Sequence, residues 1–109
     1  MITEDYVSFE TALLLKEKGF NEVLAEIFHD AAGEIVRVPT LQMAMKWLRY
    51  IHGLHIEVDA TYEYIPRKYV ATIERTEKCD DITLCPPIDF STYEEAAEIA
   101  IKYCLENLI

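Results

Sequence analysis

Two histidines, His52 and His55, stand three residues apart. On one uninterrupted helix that spacing puts both imidazoles on one face, where they could bind zinc. Gly53 falls between them and reads as a helix stop, so His55 belongs to a following strand. Further ligands would have to come from Cys79, Asp80, Asp81 and Cys85, and only if that segment folds over the histidines. The expectation is no metal and no cofactor. A nucleophile with a base is equally unsupported: the chain has no G-x-S-x-G, no phosphate loop and no G-x-G-x-x-G. The paired acids Glu94–Glu95 and Asp80–Asp81 are sequence neighbours and point in different directions. The first pair biases charge at a helix N-terminus and the second sits in a loop. No residue set calls for catalysis, and the chain is not expected to be an enzyme.

The residues best suited to binding are aromatic. Tyr62, Tyr64 and Tyr69 lie near one turn beside Arg67 and Lys68, with Tyr50 elsewhere in the same basic stretch. Tyrosine offers apolar area and a polar tip, a combination enriched at protein interfaces. These five residues, Tyr62, Tyr64, Arg67, Lys68 and Tyr69, are the candidate partner-binding set. The competing interpretation is that the tyrosines continue the core and their hydroxyls reach its rim. Met43, Trp47 and Tyr50 on a helix are core by default or, alternatively, form a second exposed apolar face that would suit a partner.

Charge narrows the partners. The chain carries 20 acidic and 10 basic residues over 109 positions, a net charge of −10. Phosphate backbones need a basic surface, so nucleic acid and anionic membranes are disfavoured. The charge is uneven: residues 1–36 carry −6, residues 37–78 carry +2 and residues 79–109 carry −6. A positive patch on an acidic protein is the consequence. Uncharged stretches fall short of the roughly 20 apolar residues that cross a bilayer. The acidic start lacks the basic and apolar blocks of a signal peptide, which makes a cytoplasmic protein the expectation. Three cysteines, at 79, 85 and 104, need not pair in a reducing compartment.

The elements that must position these residues are legible in the spacing. Ser8 caps a helix from Phe9 to Lys18, Gly19 stops it, and Phe20 can fold back on Leu15. Residues 22–38 read as a hairpin turning at Asp30–Gly33, with a helix over 22–32 as the alternative. Pro39–Thr40 caps a second helix, Leu41 to His52, with Leu41, Ala44, Leu48 and Ile51 on its apolar stripe and Met45 and Trp47 beside it. After Gly53 the period changes to two, with Leu54, Ile56, Val58, Ala60, Tyr62 and Tyr64 on one side. Tyr69 to Arg75 is its antiparallel partner, and Ile82–Leu84 fits an edge strand. Thr92 and Glu95 form a capping box for a last helix. Its apolar face is Tyr93, Ala97, Ala100, Cys104 and Leu108. Its other face is Glu95, Glu98, Lys102 and Glu106, with Glu98 and Lys102 spaced to pair.

The order α-β-β-α-β-β-(β)-α implies one α+β domain over 1–109. The expected form is a two-layer sandwich, a single antiparallel sheet of four or five strands with three helices. The Ile82–Leu84 edge has no evident guard, which predicts a homodimer through that strand.

Three stretches, Val7 to Phe20, Pro39 to Arg49 and Thr92 to Ile109, together carry a resemblance. The chain resembles a group of small uncharacterised proteins of gut Bacteroides-type genomes and their phages or mobile elements. The resemblance implies a cytosolic bacterial or phage setting and a stand-alone domain, and it transfers no functional residue. The function expected is that of a small acidic interaction or accessory module that binds another protein. The alternative is a small-molecule-binding domain or weak enzyme, with a pocket between sheet and helices lined by Tyr, His and Cys.

Overall fold

A computed structural model describes residues 4–61, 68–84 and 90–109. The chain is α+β, with helix α1 (Phe9–Glu17), strands β1 (Glu26–His29) and β2 (Ile35–Val38), and helix α2 (Leu41–His52). Strands β3 (Leu54–Thr61), β4 (Lys68–Arg75) and β5 (Asp80–Leu84) follow, then helix α3 (Tyr93–Tyr103), which continues as a wider π turn over Cys104–Leu108. The described strands do not make one sheet. They form two antiparallel sheets, β1-β2 and β3-β4-β5. The physical reason is α2, which follows β2 directly and carries the chain away before β3 begins, so the first hairpin never reaches the second sheet.

Local signals explain the helix ends. Ser8 Oγ accepts from the Thr11 N–H at 3.2 Å. At the other end of α1 the Phe20 N–H donates to Leu15 O at 2.9 Å and the Gly19 N–H to Lys16 O at 3.1 Å. Both bonds require the left-handed turn that Gly19 takes at φ +96°. Phe20 and Leu15 are both buried. Thr40 and Thr92 cap α2 and α3 in the same way, accepting from Met43 N–H at 3.2 Å and Glu95 N–H at 3.0 Å. In the first hairpin, Asp30 N–H donates to Glu34 O and Gly33 N–H donates to Asp30 O, both at 2.9 Å. With Gly33 at φ +80° this is a type I turn closed by a glycine bulge.

The register of the larger sheet sorts its faces. Ile56 opposes Ile73, Val58 opposes Ala71, and Ile73 opposes Ile82, so these side chains share one face. Against that face lie α2 and α3. Ala71, Ile73, Ala97, Ala100, Ile101 and Cys104 expose no surface, and Leu15, Leu48 and Leu105 complete the centre of the core. Alanines on α3 let the helix approach the sheet closely. The outer face carries His55, Glu57, Thr72, Glu74 and Asp81 and is open to water.

Three details differ from the sequence reading. Ile51 is 62% exposed, whereas Met45 and Trp47, set beside the stripe, are buried. The buried arc of α2 is turned towards Ala44, Met45 and Leu48. Glu98 does not pair with Lys102. Its Oε1 accepts from the Ser8 N–H at 2.9 Å and from the Thr11 hydroxyl at 2.7 Å, tying α3 to the start of α1. Lys102 Nζ instead donates to Glu10 Oε1 at 2.7 Å. An acceptor for the first turn of α1 outweighs an exposed i,i+4 ion pair worth about 0.3 kcal/mol. Finally, β5 begins at Asp80, so the edge expected to be unguarded carries Asp80 and Asp81 within the strand. Charges on an edge strand oppose pairing with another chain.

Candidate docking face on the second helix

The face singled out as Met43, Trp47 and Tyr50 is built by helical spacing. Residues 43, 47 and 50 recur at four and three positions, and Lys46 joins the same side. Trp47 anchors it. Its ring packs edge-on against Phe20 with centroids 5.5 Å apart and against His52 at 4.7 Å. One turn later the core has ended, and Tyr50 is 70% exposed.

Beside Trp47 lies a turn over residues 22–25, closed by the Ala25 N–H donating to Glu22 O at 3.2 Å. The sequence reading ran a strand through this segment, but the strand starts only at Glu26. The two corner residues are Val23, 74% exposed, and Leu24, 87% exposed. Turn corners are ordinarily Gly, Pro, Asn, Asp or Ser, whose backbone freedom, fixed φ or side-chain bonds to the main chain suit a turn, and Val23 and Leu24 supply none of these. Arg37 holds the turn in place: its Nε donates to Asn21 Oδ1 at 3.2 Å.

Between the turn and α2 runs a groove of about 460 Å³, lined by Leu24, Met43, Lys46, Trp47, Tyr50 and Ile51 among others. Glu4 and Glu22 line it as well. Lys46 Nζ lies 5.6 Å from the centre of the Tyr50 ring and the Arg49 guanidinium 5.3 Å from it, so two cations bracket one exposed aromatic. The groove therefore offers an apolar floor with mixed charge around it: Lys46 and, beside Tyr50, Arg49 on the basic side, Glu4 and Glu22 on the acidic. The sequence marks none of Leu24, Val23 and Ile51 for binding, and it assigns Ile51 to the apolar stripe of the core. No signal set Val23 and Leu24 apart, because in the sequence they fit the strand or helix read through 22–32 and only the fold turns them out.

The tyrosine hairpin is described only in part. Tyr62, Tyr64 and Arg67 lie outside the described residues. Lys68 O accepts from the Thr61 hydroxyl at 3.3 Å. Tyr69 is partly buried and packs on the core. It is bonded in both directions to Phe90, at 2.8 and 3.0 Å, and its ring sits edge-on to Tyr93 at 6.5 Å.

The two histidines are not brought together as ligands. His52 ends α2 against Trp47, while His55 Nε2 is 3.6 Å from Glu57 Oε1 on the outer face of β3. Asp80 is held by Arg75, whose Nε donates to Oδ1 at 2.7 Å. That bond lowers the Asp80 pKa and raises the Arg75 pKa. Among the described residues no three His, Cys, Asp or Glu side chains cluster as a metal site. Cys85 lies outside them. Cys104, one of the side chains a pocket under the sheet would need, is enclosed, and burial pushes its thiol pKa up to about 12. No described helix is long and apolar enough to cross a membrane. No family model, curated protein or solved structure matches the chain.

Proposed function

We propose that the chain is a small protein-interaction module that docks a partner in the groove between the 22–25 turn and α2. The observation that carries this reading is the cluster of Leu24, Tyr50 and Ile51, 87, 70 and 62% exposed around one groove. Single exposed apolar residues are ordinary, but contiguous ones rimmed by charge mark interaction sites. Aromatic anchors beside arginine are the residue types that dominate binding energy.

Charge specifies the partner. Beside Tyr50, Lys46 and Arg49 favour a segment that presents a carboxylate with apolar side chains, and Glu4 and Glu22 elsewhere in the lining disfavour further ones. The protein's net charge of −10 repels such a segment at long range. In physiological salt that repulsion is screened beyond about 8 Å, so the two local cations decide at contact. The bacterial phage or mobile-element setting implied by the resemblance suits an accessory protein that acts in the cytoplasm by binding. Among the described residues Cys79 and Cys104 form no disulfide, which is compatible with a reducing compartment.

The test is capture from lysate of the source organism on the immobilised chain, with the wild type beside Tyr50→Ala and Lys46→Glu with Arg49→Glu. The reading expects a saturable protein partner that both variants lose while remaining folded. A partner retained by both variants would place the docking face elsewhere.

A further inference from the structure

Strand β1 is exposed along its whole length, and among the described residues nothing pairs with its outer edge. The closing bond from Asp30 N–H to Glu34 O makes those two residues a hydrogen-bonded pair. Alternation along the ladder then makes Phe28–Val36 and Glu26–Val38 hydrogen-bonded pairs as well. The main-chain groups of Ile27 and His29 therefore point outward, unpaired. Around this edge Ile27, Phe28 and Ile35 are 48, 52 and 51% exposed. Phe28 lies on the face of Val36 and Val38, beside a groove of about 450 Å³ that Tyr6 and Phe9 also line.

From this we infer that β1 is a self-association edge, pairing antiparallel with β1 of a second copy to make a four-stranded sheet across a two-fold axis. Two observations select a second copy as the occupant. An exposed strand edge is satisfied by another strand, and the β1-β2 sheet, packed on α1 through β2, leaves β1 as that edge. The segment is also self-complementary about Phe28. In that register Ile27 and His29 of the two copies exchange both main-chain bonds, and Phe28 faces Phe28 of the second copy as a close cross-strand pair. The like-charged meeting, Glu26 with Asp30, falls at the rim.

The size of the patch fixes the strength. Three half-exposed aromatics, Tyr6, Phe9 and Phe28, offer roughly 300 Å². With Ile27, Ile35 and the strand itself the area is on the order of 500 Å² per copy, against about 800 Å² in a standard interface. Two copies each carrying −10 also repel. The dimer is therefore weak, concentration-dependent and strengthened by salt. This surface is separate from the α2 groove, so the two proposals stand or fall independently.

The test is sedimentation equilibrium of the purified chain from low micromolar to near-millimolar concentration, with amide exchange under the same conditions. The expected result is a monomer–dimer equilibrium whose dissociation constant falls several-fold as ionic strength rises from about 0.01 M to about 1 M, where screening shortens from about 30 Å to about 3 Å. Ile27→Pro removes an outward N–H without touching the β1–β2 ladder and should abolish the dimer. If that variant does not fold, the wild type still decides: the Ile27 and His29 amides should gain protection as the dimer forms. A monomer at every concentration, or a dimer in which those two amides stay unprotected, overturns the inference. Thr83→Lys on the β5 edge should leave the dimer intact, and its loss in that variant would assign the interface to β5 instead.

Discussion

Glu98, on the third helix, closes the N-terminus of the first: its Oε1 lies 2.7 Å from the Thr11 hydroxyl and 2.9 Å from the Ser8 N–H, across almost the whole length of the chain. Thr11 exposes no surface, and the second carboxylate oxygen of Glu98 is buried. Losing the acceptor leaves the buried Thr11 hydroxyl without its partner, which costs about 1–3 kcal/mol, while the exposed Ser8 N–H can turn to water. Glu98→Ala should lower the melting temperature by about 4–8 °C per kcal/mol lost. A double-mutant cycle with Thr11→Val should show a coupling of about 0.5 kcal/mol or more. Strict additivity of the two changes would contradict the contact.

Gly53 ends α2 at φ +65°, and a Cβ there would stand 2.7 Å from Thr76 Oγ1. That hydroxyl, with the Thr76 N–H, bonds Gly53 O at 3.1 Å, fastening the end of the helix to the end of β4. Gly53→Ala therefore combines left-handed strain, about 1–2 kcal/mol, with a steric conflict. Gly33 also has a positive φ, +80°, but open space around it. Thermal melts should show a larger loss for Gly53→Ala than for Gly33→Ala. Equal losses would mean that the Thr76 contact yields freely.

Cys104 is enclosed and its thiol pKa is pushed up to about 12, while Cys79 is exposed. Native-state labelling should modify Cys79 quickly and Cys104 only through unfolding. Because the folded pKa lies above the unfolded value, the contribution of this thiol is complete below about pH 8.5 and is lost as pH rises towards 12. Cys104→Ala should flatten the alkaline side of the stability curve. An unchanged alkaline slope in that variant would contradict the assignment.

Trp47 and Tyr50 sit three residues apart on α2 with opposite burial, 8% and 70% exposed. Trp47→Ala should cost about 3–5 kcal/mol as a core truncation. Tyr50→Ala should stay within about 0.5 kcal/mol, as exposed changes do. A large melting shift at Tyr50 would return that residue to the core and remove the docking groove.

Helix caps and strand periods were readable because they are local: Ser8, Thr40 and Thr92 act within three residues, and the alternation from Leu54 to Ala60 needs no distant partner. The partition into two sheets was not readable, because it depends on where α2 carries the chain. Glu98 was misplaced for a related reason. Its spacing from Lys102 is a local signal, whereas its bonds to Ser8 and Thr11 exist only once α1 and α3 have packed. Met43, Trp47 and Tyr50 were recognised as one face. Leu24 and Ile51 were not, since only the tertiary fold shows that the core passes them by.

The docking groove is tested most directly by photo-crosslinking in the source organism, with a photoreactive amino acid in place of Tyr50 and, as a comparison, in place of Glu57 on the outer face of β3. A docking groove on α2 predicts one defined protein adduct from position 50, absent from position 57 and lost when Lys46→Glu and Arg49→Glu are added. The same adducts from both positions, or an adduct that forms only when the probe is moved to Lys68 beside the tyrosine hairpin, would contradict it.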